Sequence, residues 1–103
     1  MKRTILLLLL CSTTLLMAQD HIQEAMANYD YETALSLIAA KKPTAPLLLQ
    51  KGKALRGLGL NSEALSTYQE IIATDSTNSR AFIEAAECCR MLAKSNQALK
   101  YYE

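Results

Sequence analysis

Six small, aromatic or apolar positions between Ala45 and Asn78 return at a constant offset of 34. Leu48, Gly52, Leu55, Gly59, Ala64 and Tyr68 mark the first stretch, and Phe82, Ala86, Cys89, Ala93, Ala98 and Tyr102 stand in the same places of the second. Every exchange is small for small or apolar for apolar. A repeat of that length accommodates one helix–turn–helix, which cannot bury its apolar face alone. Such units stack on their neighbours to make a common core, so the expected class is an all-α array of helix pairs.

The local signals agree with six helical segments. The first runs from about Asp20 to Asn28, with Ile22, Ala25 and Met26 apolar. Asp30 is placed to cap the second, in which Tyr31, Ala34, Leu35 and Ile38 recur at helical spacing. Lys42-Pro43-Thr44 ends it, because proline disfavours helical backbone in the residue before it. Thr44 caps a third helix that tolerates Pro46 in its first turn. Leu48, Gly52, Leu55 and Gly59 lie along one side of it, and the glycines are expected to let a neighbour approach closely. Asn61 or Ser62 begins the fourth helix, with Ala64, Leu65, Tyr68, Ile71 and Ile72 apolar. After the turn cluster Asp75-Ser76-Thr77-Asn78, a fifth helix carries the stripe Phe82, Ala85, Ala86, Cys89, Ala93, and Ser95 or Asn96 opens the sixth. No segment alternates with period two, so strands are not expected.

The beginning of the chain has the layout of a secretory leader. Lys2 and Arg3 precede an apolar region, Ile5 to Leu10 and Leu15 to Met17, and Ala18 offers a small residue for cleavage before Gln19. Ser12, Thr13 and Thr14 interrupt the apolar run, which argues against a membrane span. Retention as an uncleaved anchor is the alternative. Acylation at Cys11 is the weaker one, because bulky Leu10 precedes it. The expectation is export to a periplasmic or cell-envelope location, with membrane attachment only through an uncleaved leader or a segment beyond Glu103.

Without residues 1–18 the chain carries nine basic and ten acidic side chains. That near-neutral balance gives no basis for nucleic-acid binding, which needs a clustered basic surface. Of three cysteines, Cys11 leaves with the leader, and Cys88 and Cys89 remain. Adjacent helical residues point about 100° apart, so a disulfide between them would break the helix; Cys89 reads as a small buried hydrophobe. One histidine, His21, and no C-x-x-C or H-x-x-x-H spacing argue against a metal site. Catalysis is not expected either. His21 has no foreseeable nucleophile beside it, the three glycines do not follow a strand, and Glu84 and Glu87 read as a solvated helix face. No cofactor, metal or catalytic residue is assigned.

A family resemblance rests on Leu48, Gly52, Leu55, Ala64 and Tyr68. They match the large start, glycine, tyrosine, alanine and phenylalanine places of the tetratricopeptide repeat, with Lys51 for its leucine and Ser76 for its proline. Phe82, Ala85, Ala86, Cys89, Ala98 and Tyr102 resemble the next unit. Asp30-Tyr31 and Ala34-Leu35 are similar to the turn into the second helix of an earlier, degenerate one, the step from Ala34 to Ala64 being 30 rather than 34. The resemblance implies a right-handed superhelical stack of antiparallel helix pairs, a TPR-like α-solenoid. Its divisions are a leader (1–18), a degenerate first pair (19–44), a full unit (45–78) and a shortened unit (79–103).

The resemblance further implies that the first helix of each unit lines a concave groove. Carried onto this sequence, the groove stripe is Leu49, Lys53 and Arg56, then Ile83, Glu87 and Arg90, with Gln23 and Met26 continuing it into the first unit. The expected partner is a protein or extended peptide carrying acidic segments. The same charged residues also suit a solvated helix face, with Glu87 and Arg90 as an i, i+3 pair. Gln23, Leu49 and Ile83 do not reproduce the Lys, Asn and Arg set with which chaperone-binding members hold carboxylate tails. The expected role is protein–protein interaction or scaffolding in the envelope. The alternatives are the N-terminal sensor region of a membrane-bound signalling protein and a self-assembling structural solenoid. The last helix stops short at Glu103, which suggests the N-terminal part of a longer chain or an end covered by self-association.

Overall fold

A computed structural model describes residues 21–92 and 100–102. The expected leader with its cleavage point, the opening of the sixth helix, and Ala93, Ala98 and Leu99 lie outside the described residues. Within them the chain is all-α. Residues 21–27 are helical (α1), followed by α2 (Tyr31–Ala39), α3 (Ala45–Gly57), α4 (Asn61–Thr74) and α5 (Ser79–Met91). Residues 100–102 are helical as well. Helix α2 packs on α3, α3 on α4, and α4 on α5.

Helices α3 and α5 correspond to each other at an offset of 34 residues. Helices α3 and α5 both have 13 residues. Thr44 Oγ1 accepts the Leu47 N–H at 3.4 Å, and in the same place of the next unit Asn78 Oδ1 accepts the Ala81 N–H at 3.1 Å. Each bond satisfies an amide that the first turn leaves without an intrahelical acceptor. The far ends correspond too: Leu58 N–H donates to the Ala54 carbonyl at 3.1 Å, and Leu92 N–H to that of Cys88 at 3.0 Å.

A second correspondence, at an offset of 30, joins the ends of α1 and α3. Gly59 (φ 78°) terminates α3, with its N–H on the Arg56 carbonyl and the Leu60 N–H on that of Leu55, both at 2.9 Å. This is the paired closure of a Schellman motif. Tyr29 (φ 59°) does the same for α1, with bonds to the Met26 and Ala25 carbonyls. Gly59 therefore has a different task from the expected one. Nothing lies within 4 Å of a β-carbon built there, so it serves the turn rather than helix packing.

The other glycines of α3 do serve packing. A β-carbon at Gly52 would stand 2.4 Å from Tyr68 Cζ, and one at Gly57 would stand 2.3 Å from Tyr31 Cε2. The bare backbone of α3 is thus the seat of an aromatic ring from α4 at one point and from α2 at another. Around the first of these contacts the core gathers Leu55, Ala64, Leu65, Tyr68, Ile71, Ala81, Ala85, Ala86, Cys88 and Cys89. Cys88 is as fully buried as Cys89, although only Cys89 falls on the expected stripe.

Tyr102 departs from its counterpart in the preceding unit. Tyr68 is 1% exposed and Tyr102 51%. The place equivalent to Gly52 is Ala86, a buried residue that carries the methyl Gly52 lacks. Tyr101 is the half-buried ring, 6.2 Å from Phe82 and accepting a hydrogen bond from Gln69 Nε2. Among the described residues no helix is long and apolar enough to cross a membrane.

Candidate functional site

Helices α3 and α5 bring charged side chains together. Helix α3 presents Leu49, Gln50, Lys53 and Arg56 to a cleft of about 360 Å³ closed by Arg80 and Glu84 of α5 and floored by Tyr68 of α4. The spacing explains the α3 contribution, because positions three and four apart share one helix face. A second cleft, about 540 Å³, lies between α1 and the start of α3 and is lined by Ile22, Gln23, Lys41, Lys42, Pro46 and Gln50 among others. Gln50 lines both.

Glu84 organises the charges of the first cleft. Its Oε2 is ion-paired with Arg56 Nη1 across the gap between α3 and α5, and its Oε1 lies 3.3 Å from Arg80 Nε on its own helix. The Glu84 side chain is 17% exposed, so it is not the solvated carboxylate that its helix position suggests. Burial works against the Arg56 charge, but Glu84 together with Cys88 and Tyr68 outweighs that penalty, and the guanidinium is held above its ordinary value. Lys53 is exposed and has no ion-pair partner among the described residues. The cleft therefore holds three cations against one carboxylate.

Two neutral groups that feel these charges, Tyr68 in the cleft and Cys88 outside its lining, keep their protons more firmly than usual. Burial, with Glu84 nearby, holds the Tyr68 phenol well above its usual range against the pull of Arg56. Burial likewise pushes the Cys88 thiol up to about 11. Neither is an activated nucleophile, since that role needs a lowered pKa or an adjacent base. Among the described residues no group of His, Cys, Asp and Glu could hold a metal ion.

Of the residues expected along the groove, Leu49, Lys53 and Arg56 meet in the α3–α5 cleft, and Gln23 lines the adjoining one. Met26, half-buried on α1, Ile83, 49% exposed, and Glu87 and Arg90 line neither. Glu87 Oε2 is 2.7 Å from Arg90 Nη2, and Tyr102 donates its hydroxyl to Glu87 Oε1 at 2.6 Å. These two bonds hold the Glu87 carboxyl below its ordinary range, the tyrosine contributing most.

Sequence reasoning missed Gln50, Tyr68, Arg80 and Glu84 as cleft residues. Gln50 and Glu84 are themselves related by the repeat offset, one residue round the helix from the expected pair Leu49 and Ile83. The i, i+4 pair Arg80–Glu84 was the available signal. No protein-family model, curated protein or solved structure matches the chain.

Proposed function

We propose that this protein is an exported interaction module whose helix pairs stack as a TPR-like superhelix and whose odd-numbered helices form a groove for an extended, acidic peptide. The observation that carries this reading is the charged cleft between α3 and α5. Lys53, Arg56 and Arg80 face Glu84 alone, and Gln50 continues the cleft toward Gln23. Two further facts support the repeat architecture: α3 and α5 have identical lengths, and their caps and closing bonds fall at matching places of the two units. An extended peptide suits such a groove because neighbouring helices offer polar side chains at regular intervals and cations that pair with carboxylates. The work is binding rather than catalysis, in the cell envelope, with no cofactor.

The test is fluorescence anisotropy with a graded set of synthetic peptides, from neutral to glutamate-rich, at low and high salt. Affinity should rise with glutamate content and fall with salt, since exposed charges are screened over about 8 Å at physiological ionic strength. Replacing Lys53 and Arg80 together by Ala should flatten that dependence without loss of helicity, alanine being a strong helix former. Equal affinity for neutral and acidic peptides would remove the groove reading and leave these residues as a solvated surface.

A further inference from the structure

Glu84 stands inside the α3–α5 cleft, and its two oxygens serve different helices: Oε2 pairs with Arg56 of α3, Oε1 with Arg80 of α5. The two arginines are not equivalent. Arg56 is 30% exposed and makes no other ion pair among the described residues, although Glu87 also feels its charge, whereas Arg80 is 68% exposed. The Arg80 contact is an i, i+4 pair within one helix, so its geometry does not depend on how α3 and α5 are placed. The Arg56 contact spans two helices and is the one that an incoming anion would compete for. Lys53 stands in the same cleft without an ion-pair partner among the described residues.

We infer that Glu84 is an internal stand-in for the ligand's carboxylate: it occupies Arg56 in the free protein, and an acidic side chain of a bound peptide displaces it there while Glu84 keeps Arg80. This rests on the groove reading above and adds a mechanism to it. Lys53 provides the first electrostatic attraction, and Arg56 accepts a carboxylate only by exchange. An exchange of one ion pair for another gives little net affinity, because the paired arginine has already offset its desolvation. It gives selectivity instead. A partner whose carboxylate cannot reach past Lys53 to Arg56 meets Glu84 as a like charge and is repelled. Binding also releases the side-chain tie between α3 and α5.

Glu84→Gln keeps the shape and one acceptor oxygen but removes the competing charge. With a fluorescein-labelled glutamate-rich peptide, this variant should bind about tenfold more tightly than the unaltered chain. Adding Arg56→Gln to it should abolish the gain. Unchanged or weaker binding by Glu84→Gln, while Lys53→Ala still weakens it, would overturn the stand-in and leave the groove intact, with Glu84 a clamp between helices. Failure of both the unaltered chain and Glu84→Gln to distinguish acidic from neutral peptide would remove the groove and the stand-in together. A second measurement needs no variant that alters the clamp. In nitrogen-15 NMR of the unaltered chain, saturating peptide should shift the Arg56 Nε–H signal; perturbation confined to Lys53 would overturn the exchange whatever the variants do.

Discussion

A methyl group at position 52 would stand 2.4 Å from Tyr68 Cζ and 2.6 Å from Cε1. Neither neighbour yields easily, because the ring is 1% exposed and enclosed by the core. Gly52→Ala therefore removes some unfavourable helix propensity, about 1 kcal/mol, yet overpacks a contact whose cost is about 1–3 kcal/mol. The net expectation is destabilisation, in contrast to the usual gain for this exchange on a helix. Chemical denaturation of Gly52→Ala, Tyr68→Leu and the double variant forms a cycle that isolates the contact. The penalty of Gly52→Ala should vanish once Tyr68 is shortened. Additive effects would show that the ring does not rest on Gly52. The glycine and tyrosine were legible in the sequence as repeat positions. That one is the seat of the other was not, because the contact joins two separate helices and depends on how they cross.

At the level of single elements, α1–α2 and α3–α4 are joined by the same turn with opposite faults. In the first, Tyr29 occupies the left-handed position and Asp30 caps α2, accepting the Thr33 N–H at 3.3 Å. In the second, Gly59 suits the left-handed position, but Leu60 stands at the cap and makes no side-chain bond. The backbone at the two caps is nearly superimposable, φ −89° and ψ 71° against φ −87° and ψ 64°. Leu60→Ser would place a hydroxyl three residues before Glu63, the arrangement of a capping box. It should stabilise the fold by about 0.5–1 kcal/mol, less what the leucine contributes as a partly exposed apolar contact. Tyr29→Gly should contribute a similar amount by relieving the left-handed strain. Thermal melts of both variants are the check. A lower midpoint for Leu60→Ser would show that its packing outweighs the missing cap. The starts of α2 and α3 were readable, since Asp30 and Thr44 bond within their own first turns. The start of α4 at Asn61 was readable too; only its cap was not, because apolar Leu60 sends no capping signal.

For the whole molecule, the neutral groups buried between α3, α4 and α5 set a limit on the alkaline side. The Cys88 thiol is pushed from 9.0 up to about 11, mainly by burial, and the Tyr68 phenol is raised as well. A raised pKa means that the folded chain keeps a proton which the unfolded chain has given up. The stabilisation is therefore complete below pH 9.0 and is lost progressively as pH rises toward about 11. Urea midpoints measured across that interval should fall, and Cys88→Ala should reduce the slope while leaving the part due to Tyr68. A midpoint independent of pH there would mean that the thiol is solvated. Acid acts differently. The Thr77 hydroxyl and amide hold the Asp75 carboxyl below its usual 3.8, so the stability of that turn is present above this value and declines as pH falls through the lowered one.

What could be read from the chain alone is what bonds within a turn or two can decide: where α2, α3 and α4 begin, the correspondence of α3 with α5, and the presence of Lys53 and Arg56 on one helix face. These depend on neighbours three or four positions apart, so periodicity and capping residues announce them. Tertiary structure alone decided which face is inward. Successive residues of a helix point about 100° apart, so the rotation of α5 about its axis decides whether Ile83 or Glu84 faces the cleft, and here it leaves Glu87 to Arg90 and Tyr102. The union of Arg56 with Glu84, far apart in the chain, needs α3 and α5 side by side, and that placement follows from Tyr68 resting on Gly52 and from the small side chains of α5 beneath it.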